Sequence, residues 1–130
     1  MKKIMVVDDN PDHLHSIKQT LEKMGDDYKV TCVSSGTRCI RSLENNEIPD
    51  LILLDIMMPE MSGWEILKIL QENSLWKDIP VVFLTARTDD IAKSAGKFLA
   101  ADYIEKPFDI EDLKERIDKA LKDSSQKKRL

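Results

Sequence analysis

Short apolar runs that alternate with amphipathic stretches constrain the fold of this chain most strongly. The first run, Lys3 to Val7, is mostly apolar and ends abruptly at two acids. This pattern is typical of a strand buried on both faces of a parallel sheet. Asn10 and Pro11 then have the residue types of a helix cap and a first helical position. Apolar residues follow at helical spacing, up to Gly25: Leu14, Ile17, Leu21 and Met24.

The same strand and helix unit recurs along the rest of the chain. Further strands are predicted over residues 28–33, 51–54, 81–84 and 103–104. Helix starts are indicated by Ser34-Ser35, by the capping-box pair Ser62 and Glu65, and by Asp109. A further helix is predicted from the spacing of Ile91, Ala95, Phe98 and Leu99. The chain therefore contains five strand-helix units.

Strict alternation of strands and helices predicts an α/β fold. Parallel neighbours need a crossover between them, and right-handed helical crossovers cover both faces of the sheet. The length of 130 residues suits one domain. We expect this domain to cover residues 1–122, with residues 123–130 as a frayed polar tail or the stub of a linker.

Charge and hydropathy exclude several classes of partner. The formal net charge of −4 disfavours direct binding to nucleic acid by this domain. No apolar run approaches the ~20 residues that span a bilayer. The apolar stretch that follows the N-terminal Met1-Lys2-Lys3 is too short for a signal peptide. The sequence thus predicts a cytoplasmic protein without a membrane partner.

The cysteines and histidines suggest no chemistry of their own. Cys32 and Cys39 lack metal-site spacing and are expected to be small core residues. His13 and His15 are two residues apart, which points them in different directions on a helix, so we interpret both as solvated surface residues.

The residues that end the predicted strands are chemically unusual. Asp8 and Asp9 end the first strand, Asp55 the third and Thr85 the fourth, and Lys106 closely follows the fifth. Ligands of open α/β sheets bind beyond these carboxyl ends, so the five side chains should converge.

Three converging carboxylates repel one another unless a cation lies among them. Mg²⁺, or Mn²⁺ in its place, suits oxygen ligands and keeps open positions for a phosphoryl oxygen. The arrangement predicts phosphoryl transfer, with Asp55 as the nucleophile and with Lys106 and Thr85 as donors to the incoming oxygens.

Four motifs in order resemble the receiver domains of two-component response regulators, with CheY-like single-domain proteins similar in length. The motifs are Ile4-Met5-Val6-Val7-Asp8-Asp9, Leu53-Leu54-Asp55-Ile56-Met57-Met58-Pro59 with Gly63, Leu84-Thr85-Ala86, and Tyr103-Ile104-Glu105-Lys106-Pro107-Phe108. The resemblance covers about residues 2–122. It implies a doubly wound, flavodoxin-like sheet of five parallel strands in the order 2-1-3-4-5.

The resemblance also implies roles for individual residues. Asp8 and Asp9 would hold the metal together with Asp55 and the backbone carbonyl of Met57. Asp55 would accept phosphate from a histidine kinase, a phosphotransfer protein or a small phosphodonor. The domain would be regulatory and not an enzyme in its own right, although it can catalyse its own phosphorylation and dephosphorylation.

The resemblance further implies that phosphorylation is coupled to a surface that binds other proteins. Thr85 and Tyr103 would transmit phosphorylation to a face formed by the fourth predicted helix, the fifth strand and the fifth helix. That face would bind a downstream protein or a fused output domain, in a monomer or a phosphorylation-dependent dimer.

Two other functions compete with the phosphorylation switch. The first is a receiver-like interaction module that works without phosphorylation. The second is a flavin- or nucleotide-binding flavodoxin-like protein, or a phosphatase of similar topology. The four glycines are too scattered for a loop that cradles phosphate, which disfavours the second.

Overall fold

The fold is a parallel sheet between two layers of helices. The computed structural model describes residues 1–23, 27–85, 101–105 and 108–129, without the side chains of residues 85 and 126–129. Its strands are β1 (Lys2–Val7), β2 (Tyr28–Val33), β3 (Leu51–Leu54), β4 (Val81–Thr85) and β5 (Asp102–Glu105). They form one sheet in the order β2-β1-β3-β4-β5, and every neighbouring pair is parallel. The predicted fold class and strand order are confirmed.

The described residues contain four helices, three between successive strands and one after β5. They are α1 (Pro11–Lys23), α2 (Gly36–Glu44), α3 (Gly63–Glu72) and the C-terminal helix (Ile110–Arg129). The additional helix predicted around Ile91–Leu99, and Gly25 as the end of α1, lie outside the described residues. No helix in the described ranges combines the length and the apolar character that crossing a membrane requires.

Side-chain caps start these helices where the sequence indicated. Asn10 Oδ1 accepts from the backbone N–H of Asp12 at 2.9 Å, and Ser35 Oγ accepts from Arg38 at 3.2 Å. Equivalent bonds lead from Glu65 N–H to Ser62 Oγ at 3.3 Å and from Glu111 N–H to Asp109 Oδ1 at 2.9 Å. Each satisfies a backbone donor that the first helical turn leaves without an intrahelical partner.

Alternate residues of the strands supply two separate apolar clusters. Met5 and Val7 of β1 pack on one face with residues of α2 and α3, including Leu43 and Ile66. Ile4 and Val6 pack on the other face with residues of α1 and the C-terminal helix, including Leu21, Leu113 and Ile117. Successive side chains of a strand point to opposite faces, so each strand contributes to both layers.

The C-terminal helix is longer than expected. It continues to Arg129, so residues 123–129 are helical, where the sequence suggested a frayed polar tail or the stub of a linker. Neither glycine nor proline interrupts the sequence from Ile110 to Arg129. The proposed domain limit at residue 122 stays a prediction.

The two cysteines differ in burial. Cys39 is fully buried, as expected of a core residue, and burial raises the pKa of its thiol to about 12. Cys32 is exposed, so the same expectation was wrong for it. Its strand, β2, lies at the edge of the sheet and therefore has a neighbouring strand on one side. Both thiols are free.

Candidate functional site

The registers of β1 and β3 bring two acids together at the carboxyl edge of the sheet. Val7 lies beside Leu54, so Asp8 and Asp55 leave their strands next to each other. The backbone N–H of Asp55 donates to the carbonyl of Val7 at 3.0 Å, and that of Asp8 donates to the carbonyl of Val33 at 3.1 Å. Three adjacent strands thus position the two acids through backbone hydrogen bonds.

Asp9 completes a cluster of three carboxylates, which we call the carboxylate cluster (Asp8, Asp9 and Asp55). One oxygen from each lies within 4.8 Å of the other two. Asp8 is 2% exposed and Asp55 is 8% exposed, whereas Asp9 is exposed. Like charges at such distances repel one another, and more strongly when they are shielded from water. Within the described residues this is the one group of three or more candidate ligands.

The cluster has the donor chemistry that Mg²⁺ or Mn²⁺ prefers. All its ligand atoms are carboxylate oxygens, and the exposed Asp9 leaves one side accessible to water. The residues therefore fit a hard divalent cation bound by a few carboxylates and several waters.

The first turn of α1 contacts Asp8. The backbone N–H of Asn10 donates to Asp8 Oδ1 at 2.9 Å, and His13 Nδ1 lies 3.3 Å from Asp8 Oδ2. The interpretation of His13 as a purely solvated residue was wrong, although 48% of its side chain is exposed. His15 is exposed, as expected. The contact could have been suspected because a capped helix begins only two residues after the strand-ending acids.

The loop after β3 folds around Asp55. The backbone N–H of Met57 donates to Asp55 Oδ1 at 3.2 Å, and the Met57 side chain is 57% exposed beside the site. Gly63 opens α3 against the end of β3, where its N–H donates to the carbonyl of Ile56 at 3.0 Å. A Cβ at position 63 would lie 2.5 Å from the carbonyl oxygen of Asp55. Glycine is required there because backbone atoms occupy the space.

The structure describes the remaining candidate residues in part. Thr85 lies at the end of β4, in register with Glu105, the residue before Lys106. The Thr85 side chain and Lys106 lie outside the described residues. Tyr103 is partly buried in β5 and packs against the apolar cluster that contains Met5 and Val7.

A family model described as the response regulator receiver domain matches residues 4–118. Two curated relatives are similar across most of the chain. One is the alkaline phosphatase synthesis transcriptional regulatory protein PhoP of Bacillus subtilis, with 36% identity over 95% of this chain. The other is a probable cyclic di-GMP phosphodiesterase of Vibrio cholerae, with 37% identity over 95% of this chain. The chain spans 50% and 27% of the lengths of these two relatives, respectively.

The fold is likewise similar to solved structures. A CheY-like response regulator receiver domain protein from Methanospirillum hungatei has 30% sequence identity and a TM-score of 0.86. The match covers 98% of each chain.

Proposed function

The chain belongs to the response regulator receiver domains of two-component systems, and we propose that it is a phosphoryl-accepting switch modified on Asp55. The observation that carries the proposal is the carboxylate cluster at the carboxyl edge of β1 and β3. Asp55 is buried at the end of the central strand of the sheet, next to two further acids. This arrangement suits a nucleophile that reacts beside a bound cation.

We propose that Asp8, Asp9 and Asp55, with the backbone carbonyl of Met57, hold Mg²⁺ or Mn²⁺. A bound cation would compensate the negative charge of the cluster and of an approaching phosphoryl group. The hydrogen bond from Met57 N–H to Asp55 Oδ1 supports the proposal, because it restrains the orientation of the Asp55 carboxylate.

In the proposed reaction, a carboxylate oxygen of Asp55 attacks the phosphorus of a phosphohistidine on a kinase or phosphotransfer protein. The new P–O bond forms as the P–N bond breaks, and the imidazole leaves with the bonding electrons. A small donor such as acetyl phosphate would react in the same way and release acetate. Thr85 and Lys106 are the proposed donors to the phosphoryl oxygens, and their proximity at the sheet edge is supported by the pairing of β4 with β5.

The proposed output is a population shift that begins at the phosphoryl group. Thr85 and Lys106 would gain a new partner, which favours the conformation that brings them closest to it, and Tyr103 would respond in β5. In the described part of the output face, Arg116 of the C-terminal helix bonds Asp102 and the carbonyl of Tyr103, each at 3.1 Å. These contacts support movement of β5 and the helix as one unit.

Partners and cellular context follow as part of the same proposal. A histidine kinase or phosphotransfer protein would donate phosphate in the cytoplasm. A downstream protein or a fused output domain would read the output face, and the curated relatives are longer than this chain. The state of assembly would be a monomer or a phosphorylation-dependent dimer.

Incubation with acetyl phosphate and Mg²⁺ tests the phosphoacceptor directly. We expect intact-mass spectrometry to show the addition of one phosphoryl group to the wild-type protein and none to Asp55→Asn. Asp50→Asn is a matched control, because Asp50 lies at the opposite end of the same strand and accepts from Lys3 N–H at 2.7 Å. Labelling that survives in Asp55→Asn would contradict the assignment. Absence of both metal binding and the adduct in the wild type would favour the phosphorylation-independent module.

A further inference from the structure

His13 occupies a defined place between the start of α1 and the carboxylate cluster. Its Nδ1 lies 3.3 Å from Asp8 Oδ2, and its Nε2 lies 3.5 Å from Asn10 Nδ2. Asp8 is therefore contacted on one oxygen by the Asn10 N–H and on the other by the His13 ring. Both contacts come from the residues that start α1.

The hydrogen-bonding partners determine which nitrogen of the neutral His13 ring carries the proton. Asn10 Oδ1 accepts from the backbone N–H groups of Asp12 and His13, at 2.9 and 3.4 Å, so the other amide atom is the Nδ2 donor. That donor faces Nε2, which must then accept. The Asp8 carboxylate can only accept when ionised, so Nδ1 must donate. Both ends of the ring thus place the proton on Nδ1.

We propose that His13 is a positioning residue for the metal site, and this rests on the proposed function. Its Nδ1–H donates to Oδ2 of Asp8, while Asn10 N–H donates to Oδ1, and together the two bonds restrain rotation of the carboxylate about its Cβ–Cγ bond. Repulsion from Asp9 and Asp55 would otherwise favour such a rotation in the metal-free protein. The fixed orientation lowers the cost of assembling the ligands when a cation binds.

The expected size of the effect follows from other metal sites. Hydrogen-bonding partners of metal ligands typically contribute about 10- to 100-fold to metal affinity. His13 is half exposed and its contact is long, so the lower end of that range, about 10-fold, applies here.

Nitrogen NMR of the metal-free protein tests the proton assignment. In long-range ¹H–¹⁵N spectra, we expect Nδ1 of neutral His13 to resonate as a protonated nitrogen and Nε2 as an unprotonated one. After saturation with Mg²⁺ the same pattern should persist. A neutral ring protonated on Nε2, or loss of the Nδ1 proton when Mg²⁺ binds, would overturn the proposal, the second result because it indicates a direct ligand.

Three variants separate positioning from simple structural support. His13→Leu removes the donor, and His13→Asn places an amide N–H near the former position of Nδ1. His15→Leu is the matched control, because His15 is exposed on the same helix two residues later. The measured quantity is the Mg²⁺ dissociation constant from NMR or calorimetric titration, together with the Mg²⁺ dependence of labelling by acetyl phosphate.

We expect His13→Leu to weaken Mg²⁺ binding about 10-fold, with His13→Asn close to the wild type and His15→Leu unchanged. In the labelling assay, His13→Leu should raise the half-saturating Mg²⁺ concentration by the same factor and reduce the maximal rate much less. Equal Mg²⁺ affinities in all four proteins would overturn the role of His13 but not the proposed function. The same holds if His13→Asn binds Mg²⁺ as weakly as His13→Leu. A wild-type protein that binds no Mg²⁺ would instead overturn the proposed function on which the inference rests.

Discussion

Two groups of interacting polar side chains in this molecule differ in the charges that they bring together. The carboxylate cluster gathers three acids at the carboxyl edge of the sheet. The second group, which we call the Asp118 cluster (Tyr28, Lys114 and Asp118), connects the start of β2 to the C-terminal helix. There Lys114 Nζ lies 2.9 Å from Asp118 Oδ2 and 5.3 Å from the centre of the Tyr28 ring, and the Tyr28 hydroxyl donates to Asp118 Oδ1.

The two clusters are expected to contribute differently: the Asp118 cluster to the stability of the fold, and the carboxylate cluster to the proposed function. In the Asp118 cluster, Lys114 pairs with Asp118, and the bond from Tyr28 joins β2 to a helix that is distant in sequence, so the cluster should stabilise the fold. The carboxylate cluster gathers three like charges at one edge of the sheet, and cation binding there should raise the stability of the fold. Four experiments test this difference.

The strongest destabilisation is expected at Gly63, where the backbone supports the carboxylate cluster. We expect Gly63→Ala to lower the free energy of unfolding by about 3 kcal/mol, because the new methyl would collide with backbone atoms of Asp55 and Ile56. Gly36→Ala is the control, since there the methyl would meet the flexible side chains of Met61 and Ile66, and we expect a loss of about 1 kcal/mol. Urea denaturation measures both. Equal losses of unfolding free energy in the two variants would show that the backbone after β3 shifts to accommodate a methyl group as readily as a side chain does.

The next effect is metal-dependent stabilisation. At 100 times its dissociation constant, Mg²⁺ should raise the free energy of unfolding of the wild type by about 2.7 kcal/mol. Asp8→Asn should lose most of this gain, because it removes the charge of a proposed ligand, whereas Asp118→Asn should keep it. Thermal unfolding with and without Mg²⁺ is the measurement. A similar gain in Asp8→Asn would mean that the cation binds elsewhere.

A smaller effect is expected at the Asp118 cluster. Tyr28→Phe should lower the free energy of unfolding by about 1.5 kcal/mol near neutral pH, because it removes a hydrogen bond to a carboxylate. Burial, and then the bond to Asp118, raise the pKa of the Tyr28 hydroxyl above its ordinary value of 10.0.

This shift predicts how the Tyr28→Phe effect depends on pH. A raised pKa in the folded state stabilises the protein below the unfolded pKa, and the contribution is lost as the pH rises through the folded value. The difference between wild type and Tyr28→Phe should therefore be constant below about pH 9 and shrink above pH 10. Urea denaturation at several pH values checks it, and a difference that grows above pH 10 would contradict the assignment.

The smallest effect has the opposite sign. Asp9→Asn should raise the stability of the metal-free protein by about 0.5 kcal/mol, because it removes one of three repelling charges at an exposed position. The gain should disappear in Mg²⁺, because the bound cation should stabilise the wild type more than Asp9→Asn. A loss of stability in metal-free Asp9→Asn would end the contrast between the two clusters.

The regular parts of the fold were accessible from sequence because they depend on local patterns. The strands β2 and β3 begin and end at the predicted residues, and Asn10, Ser35, Ser62 and Asp109 cap helices as expected. The strand order came from the family resemblance, because periodicity carries no information about which strands are neighbours.

Features that depend on tertiary context were missed. The contact of His13 with Asp8 joins the start of α1 to the end of β1, and the spacing of two histidines along a helix does not reveal it. Cys32 is exposed because of its place on the edge strand, and the polar residues 123–129 are helical because they continue an established helix. The gathering of Asp8, Asp9 and Asp55 was predictable, since the carboxyl ends of parallel strands meet at one edge.

The pairing of β1 with β3 determines when the carboxylate cluster forms during folding. Asp8 and Asp55 are distant in sequence and become neighbours only through the register in which Val7 lies beside Leu54. A slip of one residue would reverse the faces of the strand side chains and move the acids apart by about 3.3 Å. Cation binding should therefore appear late in refolding, after the central strands have paired. Time-resolved Mg²⁺ uptake would then report the correct alignment of the sheet during folding.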